Sequence, residues 1–128
     1  MLRFCTEELV ARDDFHAVLE AMKSIADKVR RKSGLREDGA ELFTAAFLGR
    51  SPRLAINTLA TPTEQSEQRG FSNLLIGLTG MYRNVTAHAA RVLWPMDGDE
   101  TLDVLTTASL AHRRLDLAQP TPPGFTLP

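Results

Sequence analysis

The sequence predicts an all-α domain, and three observations point that way. Apolar residues recur at steps of three and four, no stretch of useful length alternates apolar with polar, and helix-capping residues stand at the ends of the apolar stripes. The expectation is a bundle of about five helices with no sheet, spanning residues 1–118, followed by a Pro-rich tail over 119–128.

Thr6 to Val10 reads as a short first helix. In the next, Phe15, Val18, Leu19, Met22, Ile25, Ala26 and Val29 form one apolar stripe. Asp13 or Asp14 can cap its start, and Gly34 can close it after a basic last turn of Arg30, Arg31 and Lys32. A third helix begins near Asp38, buries Leu42, Phe43, Ala46 and Phe47, and stops around Gly49, with Pro52 beyond it. Leu54 to Leu59 is read as one more helical turn.

Thr61 and Pro62 then supply a cap and a first helical residue for the longest helix. It runs through Phe71, Leu74, Leu75, Leu78 and Met81 toward Arg83. Gly70, Gly77 and Gly80 sit inside it at about 1 kcal/mol each relative to Ala, which points to close approach of another backbone, within the fold or across a dimer. Asp97, Gly98 and Asp99 form a turn, and the last helix runs from about Glu100 to Ala118 with Val104, Ala108, Ala111 and Leu115 in register. Four of the 7 prolines fall within the final nine residues, so the tail is expected to be extended and mobile.

Composition narrows the function classes. The chain has 128 residues, 43% of them hydrophobic, which suits one globular domain with a real core. The formal charge of -1 excludes a basic nucleic-acid coat and leaves only a local patch for such a partner. The single cysteine, Cys5, excludes an internal disulfide and fits a reducing compartment. No apolar run is long enough for a membrane span, so the expected location is cytoplasmic. His16, His88 and His112 are scattered and show no zinc spacing, and there is neither a P-loop nor a Gly-x-Ser-x-Gly elbow. No metal or cofactor is expected.

One segment combines the parts for chemistry on a phosphodiester: Arg83-Asn84-Val85-Thr86-Ala87-His88. Arginine offers a permanent charge and a planar fork for phosphate oxygens, histidine exchanges a proton near neutral pH, and Asn84 adds donors. On a continuous α-helix Arg83 and His88 lie roughly 140° apart, so a joint site needs the helix to end between them or a second subunit to complete the pocket. The other candidates have plainer readings. His16 is a core-edge or interface histidine. The cluster Lys28, Arg30, Arg31 and Lys32 is either a solvated helix end or a phosphate-holding patch. His112-Arg113-Arg114 suits a helix C-terminus. Glu64 and Glu67 are either supporting acids or part of a polar surface with Gln65 and Gln68, and Trp94 plugs the edge of the core or stacks on a base.

The Arg83–His88 segment resembles the Arg-polar-x-x-x-His signature of the HEPN superfamily, helical domains frequent in toxin–antitoxin and antiviral systems. Several further segments resemble one prokaryotic group within it, the Ymh family of phage-, plasmid- and restriction-associated proteins. They are Phe15-His16-Ala17-Val18-Leu19-Glu20-Ala21, Lys32-Ser33-Gly34-Leu35, Asp38-Gly39, Ala46-Phe47, Gln68-Arg69-Gly70-Phe71 and Ser109-Leu110-Ala111-His112-Arg113-Arg114-Leu115-Asp116. Where that family usually has proline after Arg-Asn, this sequence has Val85. The resemblance implies a HEPN-like bundle and a metal-independent endoribonuclease, built as a homodimer and leaving a 2′,3′-cyclic phosphate. Arg83 and His88 would be catalytic, and Asn84 the polar residue after the arginine. RNA and an antitoxin protein are the implied partners. The alternative is a non-catalytic dimerisation or RNA-binding module of a defence system.

Overall fold

The computed structural model describes residues 14–84 and 97–128. The predicted first helix at Thr6 to Val10 lies outside them. Helix α1 covers Asp14–Ser33 and buries Val18, Met22, Ile25, Ala26 and Val29 of the expected stripe; Ala17 and Ala21 are buried beside them, while Phe15 and Leu19 are only half-buried. Gly34 closes it at φ +77, a conformation that glycine adopts without steric cost, and donates to the Arg30 carbonyl at 2.8 Å.

Helix α2, Gly39–Phe47, starts on the Asp38 cap and buries Leu42, Phe43, Ala46 and Phe47. Helix α3, Pro62–Thr79, begins with a full capping box. Thr61 Oγ1 accepts from Glu64 N–H while the Glu64 carboxylate accepts from Thr61 N–H, each at 3.1 Å. Helix α4, Gly98–Leu117, starts on the Asp97 cap, two residues earlier than expected.

The helices close on one aliphatic core. Helix α1 packs chiefly along α4, and α2 packs between α1 and α3. Phe43, Met22, Ile25, Leu42, Leu75, Leu105 and Leu115 are fully buried, each worth roughly 1.5–3 kcal/mol of transfer free energy. Phe47 and Phe71 meet edge to face with ring centroids 5.6 Å apart. Leu74 and Met81 belong to the predicted stripe of α3 but leave the core, at 38% and 59% exposed. They stand with Gly70 and Gly77 at steps of four, three and four, so α3 carries an outward apolar stripe as well as an inward one. A Cβ built on Gly70, Gly77 or Gly80 would meet nothing within 4 Å. The close backbone approach expected at these glycines therefore does not occur within the described fold.

The stretch between α2 and α3 corrects two expectations. Leu54 to Leu59 forms no helical turn. Leu54–Ala55 is instead a short strand, β1, and it pairs antiparallel with β2, Gln119–Pro120. The expectation of no sheet fails by this one two-residue ladder in an otherwise helical fold. Strand β2 lies in the Pro-rich tail, which is extended as expected and also tied down. Thr121 N–H donates to Arg53 O at 3.0 Å, Thr121 Oγ1 to Pro52 O at 2.7 Å, and Leu127 N–H to Arg50 O at 2.7 Å. A helix was the wrong local solution here because α3 satisfies the crossover's backbone groups from the side. Gln68 Nε2 donates to Phe47 O at 3.0 Å and to Leu54 O at 2.9 Å, and Gln68 Oε1 accepts from Ile56 N–H at 2.9 Å. Gln65 reaches the carbonyl of Leu59, a buried non-glycine residue at φ +56. Far from the polar surface expected of it, Gln68 is 2% exposed.

A second buried polar residue stands at the α1–α4 seam. His112 is 3% exposed and its Nε2 lies 2.9 Å from Ser24 Oγ. The Ser24 hydroxyl already donates to Ala21 O at 2.7 Å, so the fitting tautomer carries its proton on Nε2 and presents a bare Nδ1. Nδ1 has no hydrogen-bond partner among the described residues. His112 is thus a core histidine and not the helix-dipole residue expected from the sequence. Burial, reinforced by the Lys28 charge, pulls its pKa down to about 4.

Two measurements test these roles. Gln68→Met keeps the side-chain volume and strands three backbone groups; urea unfolding should show a loss of about 3 kcal/mol, from roughly 1–3 kcal/mol for each buried group left unpaired. The His112 imidazole stays neutral when folded while the unfolded chain takes a proton near 6.5. Its share of stability is therefore complete above about pH 6.5 and drains away as the pH falls toward about 4. Urea midpoints across that window should fall in the parent protein and flatten in His112→Leu.

Candidate functional site

Arg83 and Asn84 lie in a π-helical turn, Gly80–Asn84, that continues directly from α3. Local sequence supplies reasons for the change of winding. Thr79 Oγ1 donates back to Leu75 O at 2.8 Å, a bond that commonly bends helices, and Gly80 brings the backbone freedom to take up the wider turn. The Gly80 N–H is shared between the carbonyls of Gly77 and Ile76.

The sequence left open whether an α-helix runs through Arg83, and up to Asn84 the winding is that of a π turn. A π turn bonds residue i to i+5, so it brings residues five apart toward one face, where an α-helix separates them. The turn packs against α1, and Tyr82 within it is buried, 8% exposed. The Tyr82 hydroxyl donates to Glu100 Oε2 at 3.0 Å, in the first turn of α4. Burial, then the Glu100 carboxylate, raises the Tyr82 pKa, so the phenol keeps its proton as a donor. His88, Val85, Thr86 and Trp94 lie outside the described residues, and so do the relative positions of Arg83 and His88.

The basic cluster at the end of α1 has structural work that neither reading of it foresaw. Lys28 Nζ contacts Asp116 Oδ1 at 2.6 Å, and this bond holds the Asp116 carboxyl below its usual range. Arg30 bridges Asp27 at 2.6 Å and Asp38 at 3.2 Å, and the Asp27 bond foremost raises its pKa. Lys32 Nζ donates to the carbonyls of Leu115, Asp116 and Ala118 at 2.6, 3.2 and 3.0 Å, so a side chain of α1 caps the C-terminus of α4. Of the four, Arg31 alone is exposed. Three of these cations are committed to the fold.

The remaining candidates separate as well. His16 is exposed and 4.0 Å from Glu20, away from the core edge expected of it. Glu64 serves the α3 cap and bonds Thr58, which foremost lowers its pKa. Glu67 joins Asn57 at 2.8 Å and Arg114 at 3.4 Å. Among the described residues no group of three or more His, Cys, Asp or Glu is placed to hold a metal ion, and no helix is long and apolar enough to cross a membrane. A cavity of about 500 Å³ lies between the tail and the end of α1, lined by Ser33, Arg53, Thr121 and Phe125 among others. Tyr82 and Glu100 are what sequence reasoning missed at this site. The Arg83 segment drew attention to its polar members, and a tyrosine at helical spacing reads as core.

No curated protein and no solved structure matches the chain. A family model does. It is described as a protein of unknown function, Hypoth_ymh, and it matches residues 1–115. The match covers α1, α2, β1, α3, the π turn and most of α4, and stops short of β2 and the tail. On that span, this chain belongs to the Hypoth_ymh family.

Proposed function

We propose that the chain is a HEPN-type, metal-independent endoribonuclease acting as a homodimer, a toxin or antiviral effector whose natural partners are RNA and an antitoxin protein. The observation that carries this reading is the π turn that ends on Arg83 and Asn84, a local winding that recurs at functional sites. The outward stripe of Gly70, Leu74, Gly77 and Met81 supports the dimer, since it offers an apolar, low-relief helix face leading to that turn.

In this reading His88 takes the proton of a ribose 2′-hydroxyl, whose oxygen attacks the adjacent phosphorus. Arg83 stabilises the added negative charge on the phosphorane, and Asn84 orients the phosphate. The 5′-oxygen leaves with a proton, and the other product is a 2′,3′-cyclic phosphate. The guanidinium is a fixed charge, so the mechanism asks for no metal. The second reading, a non-catalytic dimerisation or RNA-binding module, draws on the same outward stripe.

Purified protein should cleave unstructured RNA with excess EDTA present and leave DNA of the same sequence intact, because DNA lacks the 2′-hydroxyl. His88→Ala should abolish cleavage without changing the circular dichroism spectrum. Arg83→Lys keeps the charge and loses the planar fork, and should lower the rate at least about tenfold, or about 1.4 kcal/mol of barrier. Cleavage that survives His88→Ala, or that EDTA removes, overturns the mechanism. Light scattering should give a dimer; a monomer at high micromolar concentration removes the composite site.

A further inference from the structure

We propose that Tyr82 and Glu100 form a clasp between the end of α3 and the start of α4, and that Tyr82 is thereby a positioning residue for Arg83 and Asn84; its positioning half rests on the ribonuclease reading. The bond joins residues 18 apart in sequence. It ties the middle of the π turn to the first turn of α4.

Both partners are anchored. Tyr82 is buried in the middle of the turn, next to the exposed Met81, so its ring fixes which way the turn faces. Glu100 stands in the first turn of α4, where the helix dipole favours a carboxylate. Its own N–H is held by Asp97 Oδ1 at 2.7 Å. Thr101 doubles that cap, its N–H and its hydroxyl both donating to Asp97 O, at 3.0 and 2.9 Å. A phenol donating to an ionised carboxylate is among the stronger hydrogen bonds a protein makes, and here it closes a long chain segment. Reactions that depend on a fixed guanidinium lose rate steeply when its backbone drifts, about a hundredfold for a displacement near 1 Å. Tyr82 adjoins Arg83 through a single peptide unit, so the clasp sets where that guanidinium starts from.

The test uses the whole chain. Tyr82→Phe removes one hydroxyl and keeps the buried ring, so the circular dichroism spectrum should be unchanged. Amide exchange at Arg83 and Asn84, and at Glu100 and Thr101, should speed up together by about tenfold, the signature of a shared local opening. In RNA cleavage kcat should fall about tenfold with KM within about twofold, a transition-state loss without a binding loss. Glu100→Gln, which keeps an acceptor oxygen, should retain most activity. Glu100→Ala should match Tyr82→Phe, and the double variant should be no worse than either single one. Unchanged exchange at both ends overturns the clasp whatever the activity does. Faster exchange with unchanged kcat overturns the positioning role. If the parent shows no cleavage that His88→Ala removes, the ribonuclease reading fails and takes the positioning role with it, and the exchange measurement alone decides the clasp.

Discussion

The carboxamide of Gln68 closes the back of this fold. Between α2 and α3 the chain must cross without a helix, and a crossover buried against the core leaves peptide groups with no water to bond. Gln68 offers two donors and an acceptor from one side chain, and meets Phe47 O, Leu54 O and Ile56 N with them. The direction of the crossover, the presence of β1 and the docking of the tail all follow. Once Leu54 and Ala55 are held extended, their ladder edge is available, and Gln119–Pro120 pairs with it. A two-residue ladder is too small to stand alone, so it exists on the strength of what α3 does to β1.

The α1–α4 seam solves a different problem with the same economy. Two 20-residue helices pack along their length, and the polar groups at their far end must be satisfied together. Lys32 caps α4 from α1, Lys28 pairs with Asp116, and His112 bonds Ser24 one turn deeper. Lys32, His112 and Asp116 belong to the segments that resemble the Ymh family, and their partners Lys28 and Ser24 lie outside them. Their chemistry in this chain is interhelical bonding. A basic helix end of this sort looks like an anion site in one dimension and proves to be mortar in three.

The candidate site sits where helical order changes character. A π turn costs hydrogen-bond geometry, and it persists here because the surroundings hold it: Tyr82 is sunk between α1 and the start of α4, and Gly80 and Thr79 ease the change of winding. The result is a π turn packed beside the core, with Arg83 and Asn84 as its last two residues.

Local physics was legible in the sequence. The stripe of α1, the Asp38 cap and four buried residues of α2, the Thr61-Pro62 start of α3 and the register of α4 all come from spacing and capping chemistry, which act over a few residues. Arg83, Asn84 and His88 stood out in the same way, as residue types at a spacing. Tertiary structure decided what one chain segment does for another: that Gln68 and His112 are core, that Leu54–Ala55 is a strand, that the tail is bonded, that three of the four cations at the end of α1 are committed, and that a π turn carries Arg83. Apart from Arg30, whose partners are the nearby Asp27 and Asp38, each of these depends on a partner far away in the sequence. A polar side chain reads as surface until its partner is known, because burial of a polar group is favourable only when a bond awaits it, and the one-dimensional pattern records the group without the bond.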